Sequence, residues 1–114
     1  MATTRHHNIT GEISQELLKP GANYRVSKVS LANVEGSTAS YVDLWMEKQY
    51  NASSAPLKEP GLYGKFYFIK KVLIPAGASL VCDLSFDNSA NEFGLYIKLT
   101  QSASETPAMD VILY

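Results

Sequence analysis

The stretch Phe93-Gly94-Leu95-Tyr96-Ile97-Lys98-Leu99-Thr100 decides the reading of this chain. Phe93, Leu95, Ile97 and Leu99 fall on one face, and Gly94, Tyr96, Lys98 and Thr100 on the other. Apolar residues at every second position are the mark of a half-buried strand, because side chains alternate across a pleated backbone. The same period recurs on both sides. Tyr41 to Lys48 sets Val42, Leu44 and Met46 against Tyr41, Asp43, Trp45 and Glu47. Ser79 to Phe86 sets Leu80, Cys82 and Leu84 against Val81, Asp83 and Ser85, and Ala108 to Tyr114 reads as a last strand.

Further out the pattern is less regular. Tyr24 to Val34 is rich in β-branched residues, but Val26 and Val29 are of opposite parity. A bulge near Ser27-Lys28 is therefore expected, since one extra residue returns the alternation to the same face. Lys65 to Pro75 (KFYFIKKVLIP) is a strand with apolar residues on both faces, and Pro75-Ala76-Gly77 turns it into the next. Gly11 to Lys19 is read as a strand or extended segment that ends at Pro20-Gly21. Glu35 to Thr38 and Asp87 to Asn91 are polar turns. Seven or eight short strands without an amphipathic helix predict an all-β fold, an antiparallel β-sandwich of jelly-roll or immunoglobulin-like type. Parallel folds are excluded, because they need crossover helices. Leu44, Leu95, Ile97 and Val111 are the expected core.

The 114 residues suffice for one domain, expected over residues 9–114. Met1 to Asn8 is polar and aperiodic and reads as a flexible arm whose removal should leave the fold intact. Gln49 to Gly64 reads as one long loop, punctuated by Pro56, Pro60 and Gly61. Ten Lys and Arg against eleven Asp and Glu give a net charge of −1, which argues against nucleic acid or an anionic membrane as partner. No apolar run approaches the roughly 18 residues of a membrane span, and the N-terminus lacks the apolar core of a signal peptide. Cys82 is the one cysteine, so no disulfide can form within the chain, and a reducing compartment is expected.

Chemistry is sparse. The histidines are His6 and His7, adjacent in the expected arm, where neighbouring side chains of an extended segment point apart. Asp43 and Glu47 share a face but stand roughly 13 Å apart along a strand, too far for paired carboxylates. Cys82 alternates with Leu80 and Leu84 as a small core residue would. Gly61 and Gly64 lack the Lys-Ser/Thr of a phosphate loop. Lys70-Lys71, on opposite faces of one strand, reads as protection of a sheet edge. The expectation is no enzymatic activity, no cofactor and no metal.

Aromatic residues carry more information, with seven Tyr, four Phe and one Trp. Trp45 falls on the polar face of its strand, and Tyr67, Tyr96 and Tyr114 also fall outside the apolar sets. One reading is a well-packed sandwich whose Tyr hydroxyls reach water; a second is an outward apolar surface covered by another subunit. Its expected contacts are Arg5, His6 and His7 in the arm, Tyr50, Leu57, Leu62 and Tyr63 in the loop, and Trp45, Tyr67, Tyr96 and Tyr114 on the strands. The alternative is a sugar-stacking platform of Trp45, Tyr50 and Tyr63, with a glycan as partner.

YRVSKVSLANVEGSTASYVDLWMEK, then KFYFIKKVLIPAGASLVCDL, then MDVILY resembles a group of small all-β bacteriophage virion proteins. The shared pattern is a strand ending in Ala32-Asn33, the Val42 to Met46 strand, the Ile74-Pro75-Ala76-Gly77 turn leading to Leu80, and the closing Met109 to Tyr114 strand. The insertion Gln49 to Gly64 departs from the shortest forms. The resemblance implies a structural protein of the particle, a capsid decoration protein or a neck or tail component. It implies copies of itself and other virion proteins as partners, and a place in the virion after assembly in the host cytoplasm.

Overall fold

The computed structural model describes residues 5–20, 24–35, 37–48, 64–87, 93–101 and 106–114. Within them lie eight strands: β1 (Arg5–Thr10), β2 (Gln15–Leu18), β3 (Arg25–Asn33), β4 (Ser40–Lys48), β5 (Gly64–Ile74), β6 (Ser79–Asp87), β7 (Gly94–Gln101) and β8 (Ala108–Leu113). They form two four-stranded antiparallel sheets of order β1-β8-β3-β6 and β2-β7-β4-β5. β4 and β5 are the one consecutive pair that shares a sheet. Every other connection crosses from one sheet to the other. This is the jelly-roll order, and of the two sandwich types expected it excludes the immunoglobulin-like one, in which consecutive hairpins stay within a sheet.

The core is built by the alternation. On β4 and β7, Val42 pairs with Leu99, Leu44 with Ile97 and Met46 with Leu95, all turned inward. Val29, Leu31, Met109, Val111 and Leu113 face them from the other sheet, fully buried. Leu44, Leu95, Ile97 and Val111 are buried as expected. Each such Leu or Ile contributes about 1.5–3 kcal/mol through the water it sheds. The bulge expected near Ser27-Lys28 is present as a register shift between Val26 and Lys28, and both Val26 and Val29 are buried because of it. A second shift, between Glu16 and Leu18, turns the adjacent Leu17 and Leu18 both inward.

Three expectations need correction. Residues 5–8, assigned to a free arm, form most of β1: Arg5 pairs with Leu113, His6 with Ile112, His7 with Val111 and Asn8 with Asp110. The segment looked aperiodic because its partner β8 sets buried Met109 and Val111 opposite Ile9 and His7 on one face, and Asp110 and Ile112 opposite Asn8 and His6 on the other. Met1 to Thr4 lie outside the described residues. Cys82 is on the inward face but only half-buried, because β6 is an edge strand. Burial first and the Asp83 carboxylate second push its thiol pKa upward, away from a reactive thiolate.

The third concerns Lys70 and Lys71. Between them and β4, two β5 residues stand opposite Asp43, and Lys71 takes a positive φ of 54°. This bulge cancels the alternation, so both ammonium groups lie over outward tyrosines, Lys70 over Tyr67 at 4.3 Å and Lys71 over Tyr41 at 5.7 Å. Asp43 secures the bulge: its Oδ1 accepts from the Lys71 N–H at 2.6 Å and its Oδ2 lies 3.8 Å from Lys70 Nζ.

The motif pieces Ala32-Asn33 and Ile74-Pro75-Ala76-Gly77 meet in space. Buried Asn33 donates from Nδ2 to the carbonyls of Ile74 at 2.9 Å and Thr38 at 3.1 Å, and its Oδ1 accepts from Glu35 N–H at 3.0 Å. Its backbone accepts from Gly77 at 3.0 Å and donates to Ala78 at 2.9 Å. Gly77 has φ 72°, a conformation that explains glycine in this turn. One amide therefore ties the end of β3 to the β5–β6 turn.

Candidate interaction surfaces

The outer face of the β2-β7-β4-β5 sheet carries a row of cross-strand neighbours. Glu16 pairs with Tyr96, Tyr96 with Trp45, and Trp45 with Tyr67. Trp45 stacks on Tyr96 with centroids 6.0 Å apart and planes at 21°, and tilts against Tyr67 at 5.6 Å and 44°. Lys65 Nζ sits 5.0 Å over the indole, and the indole N–H donates to Glu47 Oε1 at 3.0 Å. Enclosed in this way, Trp45 is only 2% exposed although it points away from the core. A ring buried by its own neighbours offers no open face for a pyranose. Trp45 is a keystone of the outer surface, and the sugar-stacking platform loses its central member.

Tyr96 leans back along its own strand. A Cβ placed on Gly94 would stand 2.7 Å from the Tyr96 hydroxyl, so glycine is required for the ring to lie there. The cross-strand neighbour Glu16 sets a carboxylate beside Tyr96. Desolvation first, then the Glu16 and Glu47 carboxylates, raise its pKa above the ordinary 10.0. The row thus closes at both ends, with Glu16 on Tyr96 and Lys70 on Tyr67. Tyr67 keeps 41% of its surface exposed.

The outer face of the β1-β8-β3-β6 sheet is different in character. His6, Ile112, Ser30 and Val81 are successive cross-strand neighbours, and Asn8, Asp110, Ala32 and Ser79 form the next row. Asn8 Nδ2 donates to Asp110 Oδ1 at 2.7 Å. His6 is exposed, whereas His7 pairs with inward Val111 and is half-buried. The two histidines therefore belong to opposite faces, as adjacent strand residues must. Tyr114 is exposed beyond β8, while its backbone is held by Lys28 and Ser27.

Of the expected contact residues, Trp45, Tyr67 and Tyr96 are brought together, His6 and Tyr114 lie with the other sheet, and His7 turns inward. Arg5 is placed through its pairing in β1. Tyr50, Leu57, Leu62 and Tyr63 lie outside the described residues. Sequence reading placed Tyr41 and Glu47 on the outer face with Trp45 but did not join them, Lys65 or Glu16 to this aromatic row. Cross-strand register put them there, and period-2 parity alone named their face but not their neighbours. Among the described residues, no three of His, Cys, Asp or Glu converge as metal ligands would.

No family model matches the chain, and no curated protein matches it significantly. Among solved structures, the chain is similar to the structure of infectious bursal disease virus Gx strain, with a TM-score of 0.36 and 8% identity over 98% of this chain and 33% of the other. The T13 IBDV viral particle gives a TM-score of 0.37 and 9% identity over 96% of this chain and 30% of the other. The chain spans about a third of the length of those chains.

Proposed function

We propose that the chain is a non-enzymatic structural protein of a bacteriophage particle, a capsid decoration protein or a neck or tail component that works through subunit interfaces. The observation that carries the reading is the distribution of exposed apolar side chains. Val34, Tyr67, Leu73, Val81 and Tyr114 stand exposed around the jelly roll. Apolar groups left in water on a rigid block are surface that a neighbouring subunit can cover. The sequence resemblance to small phage virion proteins points the same way. The jelly roll itself is shared by capsid and lectin domains and does not choose between them. The sealed Trp45 weighs against the glycan-binding alternative.

The test is quantitative mass spectrometry of purified particles of the phage that encodes the chain. A multicopy, stoichiometric component is expected. Absence from washed particles, with the chain left in the soluble lysate, refutes the proposal.

A further inference from the structure

The two long edges of the sandwich are finished differently. At the β1–β2 edge, Ile9, Leu17 and Leu18 are buried and the interior is closed. At the β5–β6 edge Ile74 and Phe86 are buried, but the rest of the interior is partly open. The inward Phe66, Phe68 and Ile69 of β5 and Leu80, Cys82 and Leu84 of β6 all remain half-exposed. Inward residues of the central strands, such as Leu31, Leu44, Ile97 and Val111, are fully covered. On the outer side of the same edge, Val81 is 56% exposed.

Charge is divided along this edge. β5 carries exposed Lys65, Lys70 and Lys71, whose ammonium groups rest over the outer aromatic rings, Lys70 also 3.8 Å from Asp43, and β6 carries exposed Asp83, cross-strand from Lys28, with Asp87 at its end in an ion pair with Arg25. We infer that this edge is the contact between two copies of the chain. In the dimer, the β6 edge of each copy lies beside the β5 edge of its partner, related by a two-fold axis parallel to the strands. Rotation about that axis exchanges the two layers of the sandwich. It therefore brings the acidic edge of one copy to the basic edge of the other, twice, and joins the two open interiors. A β6-to-β6 arrangement would instead set aspartate beside aspartate.

The size is adequate. β6 has 9 residues, roughly 30 Å at about 3.3 Å per residue, and the sandwich edge is roughly 20 Å thick with its side chains. That is roughly 600 Å² per copy, at the lower end of specific interfaces. The bulges and lysines of β5 discourage uncontrolled strand addition, so side-chain packing and charge, rather than a continuous ladder, hold the pair. This inference rests on the assembly reading above for its biological use, and names the partner as a second copy.

The experiment is sedimentation velocity of the full chain from low micromolar to sub-millimolar concentration, with Asp83→Lys, Lys70→Glu and the double charge swap. Wild type should dimerise reversibly and less tightly in high salt. Each single variant should weaken the dimer roughly tenfold through like-charge contact, and the double should recover most of that loss. Hydrogen exchange of the wild type should show β5 and β6, but not β1 and β2, gaining protection as concentration rises. A monomer throughout, a dimer indifferent to Asp83→Lys or to Lys70→Glu, or protection elsewhere overturns the inference. Particle incorporation is measured separately, so the failure of one proposal is distinguishable from failure of the other.

Discussion

Gly94→Ala tests the outer aromatic row at its tightest point. The new methyl would stand 2.7 Å from the Tyr96 hydroxyl, 2.8 Å from Cε2 and 2.9 Å from Cζ. Ordinary carbon contacts are about 3.5–4.0 Å, so the ring must retreat by about an ångström. It is not free to do so. Tyr96 stacks on Trp45 and stands cross-strand beside Glu16. Straining the rotamer costs about 0.5–1.5 kcal/mol, and loosening the stack costs about 1 kcal/mol more. Against this, alanine restricts the unfolded chain and stabilises by about 0.4–1 kcal/mol, because Gly94 is not held at a positive φ. The net expectation is a loss of about 0.5–2 kcal/mol. Urea unfolding followed by the single tryptophan, Trp45, reads both the loss and the local rearrangement. Native emission should shift to the red as the indole hydrates. In a Tyr96→Ala background the same glycine substitution should become neutral or stabilising. An equal loss in both backgrounds, or stabilisation in the wild type, would show that Tyr96 does not rest on Gly94.

Asn33→Ala removes the amide that joins β3 to the β5–β6 turn and leaves buried carbonyls unmet; a loss of about 1–3 kcal/mol in urea unfolding is expected, and a neutral result would contradict the clamp. Deleting residues 1–8 removes most of β1, so the midpoint of thermal unfolding should fall; an unchanged midpoint would restore the free-arm reading. Tyr96 binds its proton more tightly in the folded state than the ordinary value of 10.0. Its contribution to stability is therefore complete below pH 10 and is lost as pH rises through the higher folded value. Ultraviolet titration should find one late tyrosine that Tyr96→Phe abolishes, together with part of the alkaline loss of stability. If every tyrosine titrates together, the environment assigned to Tyr96 is wrong.

Most of the fold was written locally. Alternation in Leu95–Leu99, Val42–Met46 and Met109–Leu113 names both the strands and their buried faces, because a strand exposes every second residue to the same environment. Even the bulge between Val26 and Lys28 was legible, as a break in parity. Local sequence does not record what lies across a strand. His6 and Asn8 look like residues of a free arm until β8 supplies the partners, Ile112 opposite His6 and Asp110 opposite Asn8. Trp45 looks exposed by parity, and its burial comes from Tyr96, Tyr67 and Lys65, which reach it only through the register of three strands. Lys70 and Lys71 share one face because Asp43, far away in the chain, fixes a bulge. The sandwich follows from the period of the sequence. The jelly-roll order, the sealed tryptophan and the open β5–β6 edge were decided by long-range pairing, whose free energy depends on neighbours that local pattern does not name.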